Sequence, residues 1–162
     1  MKSLLILRHA EATPVIPELS DVHRPLAERG RTQARDLGMW LRDRAIAPDR
    51  ILCSAAVRAR ETADIVTAAA KWTAQVTAND ALYNATGEEL LAQARNAPHD
   101  VTQLLLVSHA PGVSDLVRLL ITKQGDAMLV YDAATLTEVV LDIEHWSQIG
   151  HGTGALRLLL PP

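Results

Sequence analysis

The sequence predicts an α/β protein, a three-layer α/β/α sandwich around a largely parallel sheet. Two observations lead there. Apolar runs of strand length alternate with segments of helical periodicity along the chain. The three strongest runs, Leu4–Leu7, Ile51–Cys53 and Leu104–Val107, each break abruptly into polar residues, as Arg8-His9, Ser54 and Ser108-His109. Ionisable side chains do not belong in a core unless paired or functional. The carboxyl ends of strands are where open α/β sheets hold their ligands.

Each element has its own warrant. Leu4-Leu5-Ile6-Leu7 follows Met1-Lys2-Ser3 directly and reads as a short strand buried on both faces. Residues 10–25 carry Pro14, Pro17 and Pro25 and read as a polar loop. A helix of roughly twenty residues follows, with Ala34, Leu37 and Leu41 at i, i+3, i+7, and Pro48 ends it at the latest. Arg50–Ser54 is a second strand, running into a helix with Thr62, Ile65, Val66 and Ala69 on one face. A weaker strand lies near Gln75–Thr77, and Thr86-Gly87-Glu88-Glu89 is a capping box opening a short helix. Leu104–Val107 is the third strong strand. Val113, Leu116, Val117, Leu120 and Ile121 mark the helix after it. Leu136–Leu141 and Ala155–Leu160, separated by Gly150, Gly152 and Gly154, read as a terminal hairpin or adjacent edge strands. Their apolar edge either pairs with another chain or is covered.

Neither repeat nor linker interrupts the 162 residues, which suit one domain spanning 1–162 and burying about 70% of its unfolded surface. Apolar residues make up 48% and charged residues 22%, the balance of a soluble globular protein. With three Trp, two Tyr and no Phe, the core rests on Leu, Ile, Val and Ala. A net charge of -3 gives no global attraction to nucleic acid or an anionic membrane, so anion binding requires a local positive cluster. No stretch has the length of a membrane-spanning helix, and the N-terminus reads as a strand, not a secretory signal. The single Cys53 reads as a buried small hydrophobe, and a cytoplasmic protein is expected.

Parallel strands joined by crossover helices point their carboxyl ends to one sheet edge, so His9, Arg58 and His109 converge there. Arg8 and Arg58 suit the oxygens of a dianion such as a phosphoryl group. A neutral imidazole is a competent nucleophile, provided its other ring nitrogen is held in one tautomer. The second imidazole, if protonated, is a further donor. This scheme needs neither metal nor cofactor. Arg60 and Glu61 are rivals to Arg58 at the same helix start, where i,i+3 pairing is common, but the Ser-(x)3-Arg spacing favours Arg58. Ser54 and Ser108 read as strand-end or capping hydroxyls, since no G-x-S-x-G elbow is present. His23, His99, His145 and His151 show no ligand spacing and read as loop histidines. Asp21 and Arg24 read as pins holding the loop to the first helix, with contact to substrate as the secondary reading.

Leu7-Arg8-His9-Ala10-Glu11 resembles the Arg-His-Gly motif of the histidine phosphatase superfamily, the phosphoglycerate-mutase-like proteins, with Ala10 in place of Gly. Ser54-Ala55-Ala56-Val57-Arg58-Ala59-Arg60-Glu61-Thr62-Ala63 resembles its second-arginine segment, and Ser108-His109 its second histidine. Asp21-(x)2-Arg24-Pro25-Leu26-(x)3-Gly30 is similar to the small phosphohistidine phosphatase branch, as is the short length. The resemblance runs from residue 4 to about residue 120. It implies that His9 is phosphorylated, that Arg8, Arg58 and His109 bind the phosphoryl group, and that no metal takes part. Larger members carry a carboxylate general acid, whereas Tyr83-Asn84-Ala85 offers none at the corresponding place. That leaves Glu11, Glu88 and Glu89 as candidates by default.

The missing acid points to a substrate class. An alkoxide leaving group needs a proton, and supplying it is worth about 10²–10⁴-fold. An imidazole, whose conjugate acid has a pKa of about 6.5, needs far less help. The expected function is dephosphorylation of phosphohistidine on a signalling or phosphotransfer protein. The alternatives are a phosphatase for a small phosphomonoester or sugar phosphate and, in another class, a non-catalytic phosphoprotein-binding module.

Overall fold

The structure, a computed structural model, describes residues 1–121 and 130–162. Four strands run parallel: β1 (Lys2–Arg8), β2 (Arg50–Ser54), β3 (Val76–Asn79) and β4 (Gln103–Ser108). Two antiparallel strands, β5 (Leu136–Leu141) and β6 (Gly154–Leu160), complete a six-stranded sheet of order β3-β2-β4-β1-β5-β6. The helices are α1 (Glu28–Asp43), α2 (Val57–Ala70), α3 (Gly87–Arg95) and α4 (Gly112–Ile121). The expected α/β class and layering are therefore present.

Side-chain alternation along the strands explains the layers. Leu5, Leu7, Ile51, Cys53, Leu105 and Val107 pack with Ala34, Leu41, Ala59 and Val66 of α1 and α2. Leu4, Ile6, Leu104 and Leu106 point the other way, among Leu90, Leu91, Leu116 and Leu120 of α3 and α4. A continuous apolar run is thus what each central strand needs, since both faces are covered. Register then sets the site: Arg8 stands beside Ser108, and Cys53 beside Val107. The ends of β1, β2 and β4 reach one edge together.

Several local expectations shift. α1 is shorter than the predicted helix, because the chain leaves it through Arg44 and Ala45, the latter at φ 54°, before reaching Pro48. α2 buries Ala59, Thr62, Ala63, Val66 and Ala70, while Ile65 and Ala69 are half-buried. The cause is close packing: Gly38 of α1 lies against Ala69 and the Val66 carbonyl, so the smallest residues fill the seam. β5 and β6 are antiparallel neighbours joined by residues 142–153. That connection buries Trp146, whose Nε1 donates to the Val101 carbonyl at 2.8 Å. The capping box at Thr86 forms with Glu89. No helix among the described residues is long and apolar enough to cross a membrane.

Candidate active site

The backbone of His9 is stitched across the sheet edge: its N–H donates to the Ser108 carbonyl at 3.0 Å, and its carbonyl accepts from Ala134 N–H at 3.1 Å. The ring is buried, with 8% exposure. Its Nδ1 lies 2.7 Å from the Ala10 carbonyl, which can only accept, so Nδ1 carries the proton and Nε2 a lone pair. That lone pair accepts from Arg58 Nε at 3.3 Å. Burial pushes the His9 pKa down to about 4. The Ala10 hydrogen bond opposes this, while the charges of Arg58, Arg8 and Arg24 add to it.

His109 follows β4, with its ring centroid 5.0 Å from that of His9 and in edge contact. Its Nε2 shares a 2.8 Å hydrogen bond with Ser54 Oγ, and Nδ1 is buried with no partner among the described residues. Burial, then the neighbouring His9 and Arg58, push its pKa down to about 3. The second imidazole is therefore neutral in the resting site, and a charge on it has to arrive with a bound anion. Arg8 closes β1. Its Nη1 donates to the Tyr131 carbonyl at 2.6 Å and its Nε is buried with no partner among the described residues, while its charge acts on both imidazoles.

Arg58 opens α2 and is the hub, 3% exposed. Besides His9, it donates through Nη1 to the Asp21 carbonyl at 2.7 Å and through Nη2 to Asp21 Oδ2 at 2.9 Å. Tyr83 Oη donates to the same Oδ2 at 2.8 Å, and Arg24 Nε to Oδ1 at 3.1 Å. Partial burial works to raise the Asp21 pKa. The hydrogen bonds from Tyr83 and Arg58 and the charges of Arg58 and Arg24 outweigh it and hold it at about 2. Tyr83 is a residue that sequence reasoning missed at this edge, as is the pairing of Asp21 with Arg58. Asp21 does pin its loop, as expected, but the group it grips is Arg58.

The default acids are engaged elsewhere. Glu88 contacts His151 at 2.6 Å, Glu89 closes the capping box with Thr86, and Glu11 pairs with Arg29 at 3.4 Å. Glu61 of α2 accepts from Arg31 and the Leu26 N–H, so it anchors the loop and the start of α1 to α2. Ala10 does not adopt positive φ, and its methyl is fully buried, so the backbone there does not require glycine. Gly30 is required: a Cβ there would collide with the Glu11 carbonyl, just beyond the nucleophile. Among the described residues, no three His, Cys, Asp or Glu side chains gather as a metal site would need.

Thr62 supports the site from below. Its Oγ1 accepts from Ala10 N–H at 3.0 Å and donates to the Arg58 carbonyl at 2.7 Å, tying His9's neighbour to α2. Thr62→Val keeps the shape and leaves that buried N–H unpaired. It is expected to lower unfolding free energy by about 1–3 kcal/mol, read from urea denaturation.

The depressed imidazoles also give stability a pH dependence. Unfolded, both rings take up protons near their ordinary 6.5; folded, they resist until about 4 and 3. Their contribution is therefore complete above pH 6.5 and is lost as pH falls toward those values. Urea midpoints are expected to drop from pH 7 to pH 4.5, less steeply in His109→Gln; equal slopes would contradict the assignment.

The family model for the histidine phosphatase superfamily (branch 1) matches residues 4–88. Uncharacterized protein Rv1276c of Mycobacterium tuberculosis is 32% identical over 159 residues, covering 93% of this chain and 96% of its own. A Nakamurella multipartitia structure with the provisional name phosphohistidine phosphatase SixA has a TM-score of 0.85 at 28% identity, covering 99% and 96%. The protein histidine phosphatase SixA complexed with tungstate shares the fold, with a TM-score of 0.78 at 23% identity over 98% and 96%. The chain belongs to branch 1 of the histidine phosphatase superfamily and is a hydrolase of phosphoryl groups.

Proposed function

We propose that this chain, as one domain, hydrolyses phosphohistidine on a signalling or phosphotransfer protein through a phosphohistidine of its own at His9. The observation that carries the reading is the pairing of an uncharged nucleophile with a cationic surround. His9 presents an Nε2 lone pair beside Arg58, with Arg8 near enough to act on the ring. The likeness to the Nakamurella protein supports the substrate class. In the first step Nε2 attacks phosphorus, and the substrate nitrogen departs with the bonding pair. The Ala10 carbonyl, held on Nδ1–H, stabilises the phosphorylated imidazolium. Arg8, Arg58 and His109 bind the phosphoryl oxygens, where charge is densest in the transition state. Water then attacks phosphorus, His9 regains its lone pair, and both water protons leave on dihydrogen phosphate. No side chain has to donate a proton in either step.

The test is phosphate release with EDTA present, from a phosphohistidine protein, a sugar phosphate and an aryl phosphate. Release from the phosphohistidine protein ahead of both esters supports the reading. Release from the esters alone moves the function to small metabolites, and silence on all three favours a binding module.

A further inference from the structure

Resting on the phosphohistidine reading, we infer that Asp21 is a specificity-determining residue. Its carboxylate selects a phosphorylated imidazole over a phosphate ester by accepting a hydrogen bond from the leaving ring. The placement comes first. His9 is buried, so an in-line displacement must put the leaving group on the solvent side of phosphorus, opposite Nε2. Asp21 lies toward solvent from the nucleophile: its side chain is 42% exposed, against 4% for Arg58, whose guanidinium bonds both Asp21 and His9 Nε2. Arg58, Arg24 and Tyr83 fix both carboxylate oxygens, so the group is oriented before substrate arrives.

Charge supplies the selectivity. A carboxylate held ionised cannot protonate an alkoxide, and it repels the dianion of a monoester with no compensating contact. A phosphohistidine differs in one respect: its ring carries positive charge and an N–H on the nitrogen away from phosphorus. When the P–N bond breaks, the bonding pair goes to the leaving nitrogen and the ring departs neutral, keeping that N–H. Asp21 takes no proton; it accepts one charge-assisted hydrogen bond throughout. The same feature therefore disfavours esters and favours imidazole.

The decisive comparison is kcat/KM on a phosphohistidine peptide and on para-nitrophenyl phosphate, for wild type and Asp21→Asn. The phosphohistidine value is expected to fall about tenfold, the size of one hydrogen bond to a charged group, while the aryl phosphate value rises. Tyr83→Phe, which frees the carboxylate without removing its charge, is expected to shift the ratio the same way by less. It decides the matter should Asp21→Asn not fold. An equal fall on both substrates would mean that Asp21 merely props Arg58, and would overturn the assignment while leaving the phosphatase reading intact. A wild type active on the aryl ester and silent on the peptide overturns the substrate reading, and this assignment with it.

Discussion

His9→Ala is expected to abolish turnover, lowering phosphate release by about 10⁴-fold or more, as removal of a covalent nucleophile does elsewhere. It is also expected to leave no acid-labile, base-stable label on the protein after mixing with labelled substrate. The reason is specific to this site. The ring that supplies Nε2 is the one group held in a reactive tautomer, with Nδ1–H on the Ala10 carbonyl and the lone pair against Arg58. His109 cannot take over, because its Nε2 is engaged with Ser54 Oγ and its Nδ1 is buried. The pH profile of the wild type provides the internal check. With the His9 pKa pushed down to about 4, kcat/KM should hold through pH 6 and fall only as pH approaches 4. A limb at the ordinary histidine value would mean that the ring titrates as an exposed one. Folding gives a second control: the stability that wild type loses through His9 as pH falls from 6.5 toward 4 should be missing from the variant, whose stability profile is flatter in acid.

How far the sequence carries depends on the range of the interaction. Strands read from apolar runs, and the capping box at Thr86, depend on neighbours in the chain, and both stand where expected. Arg58 was separable from Arg60 because the turn between β2 and α2 is short, so spacing alone fixes which side chain faces the edge. Asp21 was not separable from a loop anchor. Its partners Arg58 and Tyr83 are distant in sequence, and only the path of the 10–27 loop brings them together. Gly30 belonged to a recognised pattern, yet its cause, an α1 backbone pressed on Glu11, is a contact between elements. Thr62 reads in sequence as part of an apolar helix face; its hydroxyl acts on Ala10, which no periodicity reveals. The buried face of α2 shifted for a similar reason, since small residues at a crowded seam carry little hydrophobic signal.

Arg58→Met is the second large effect, and it separates function from stability. Activity is expected to fall about 10³-fold or more, the scale of losing a preorganised cation from a phosphoryl-transfer site. Arg58→Lys should recover little of this, since a point charge cannot replace the fork that meets His9 and Asp21 together. Stability should move the other way or not at all. Arg58 is buried beside two imidazoles, with Arg8 acting on both and Arg24 on His9, and Asp21 is its ion-pair partner among the described residues. An apolar side chain of similar length removes a buried cation. The Asp21 carboxylate left behind is exposed enough to be taken over by water and Arg24. The His9 pKa should rise from about 4, because Arg58's charge helps to depress it, while burial keeps it below 6.5. Thermal unfolding with a midpoint at or above that of wild type, in a variant with almost no turnover, is the expected pair of results. A variant both inactive and strongly destabilised would instead make Arg58 a structural keystone of the β2–α2 turn. The expected pair follows from the cluster itself: Arg8 and Arg58 act on both imidazoles and Arg24 on His9, with Asp21 as counter-charge to Arg58 and Arg24, an arrangement that suits an anionic substrate better than it suits stability.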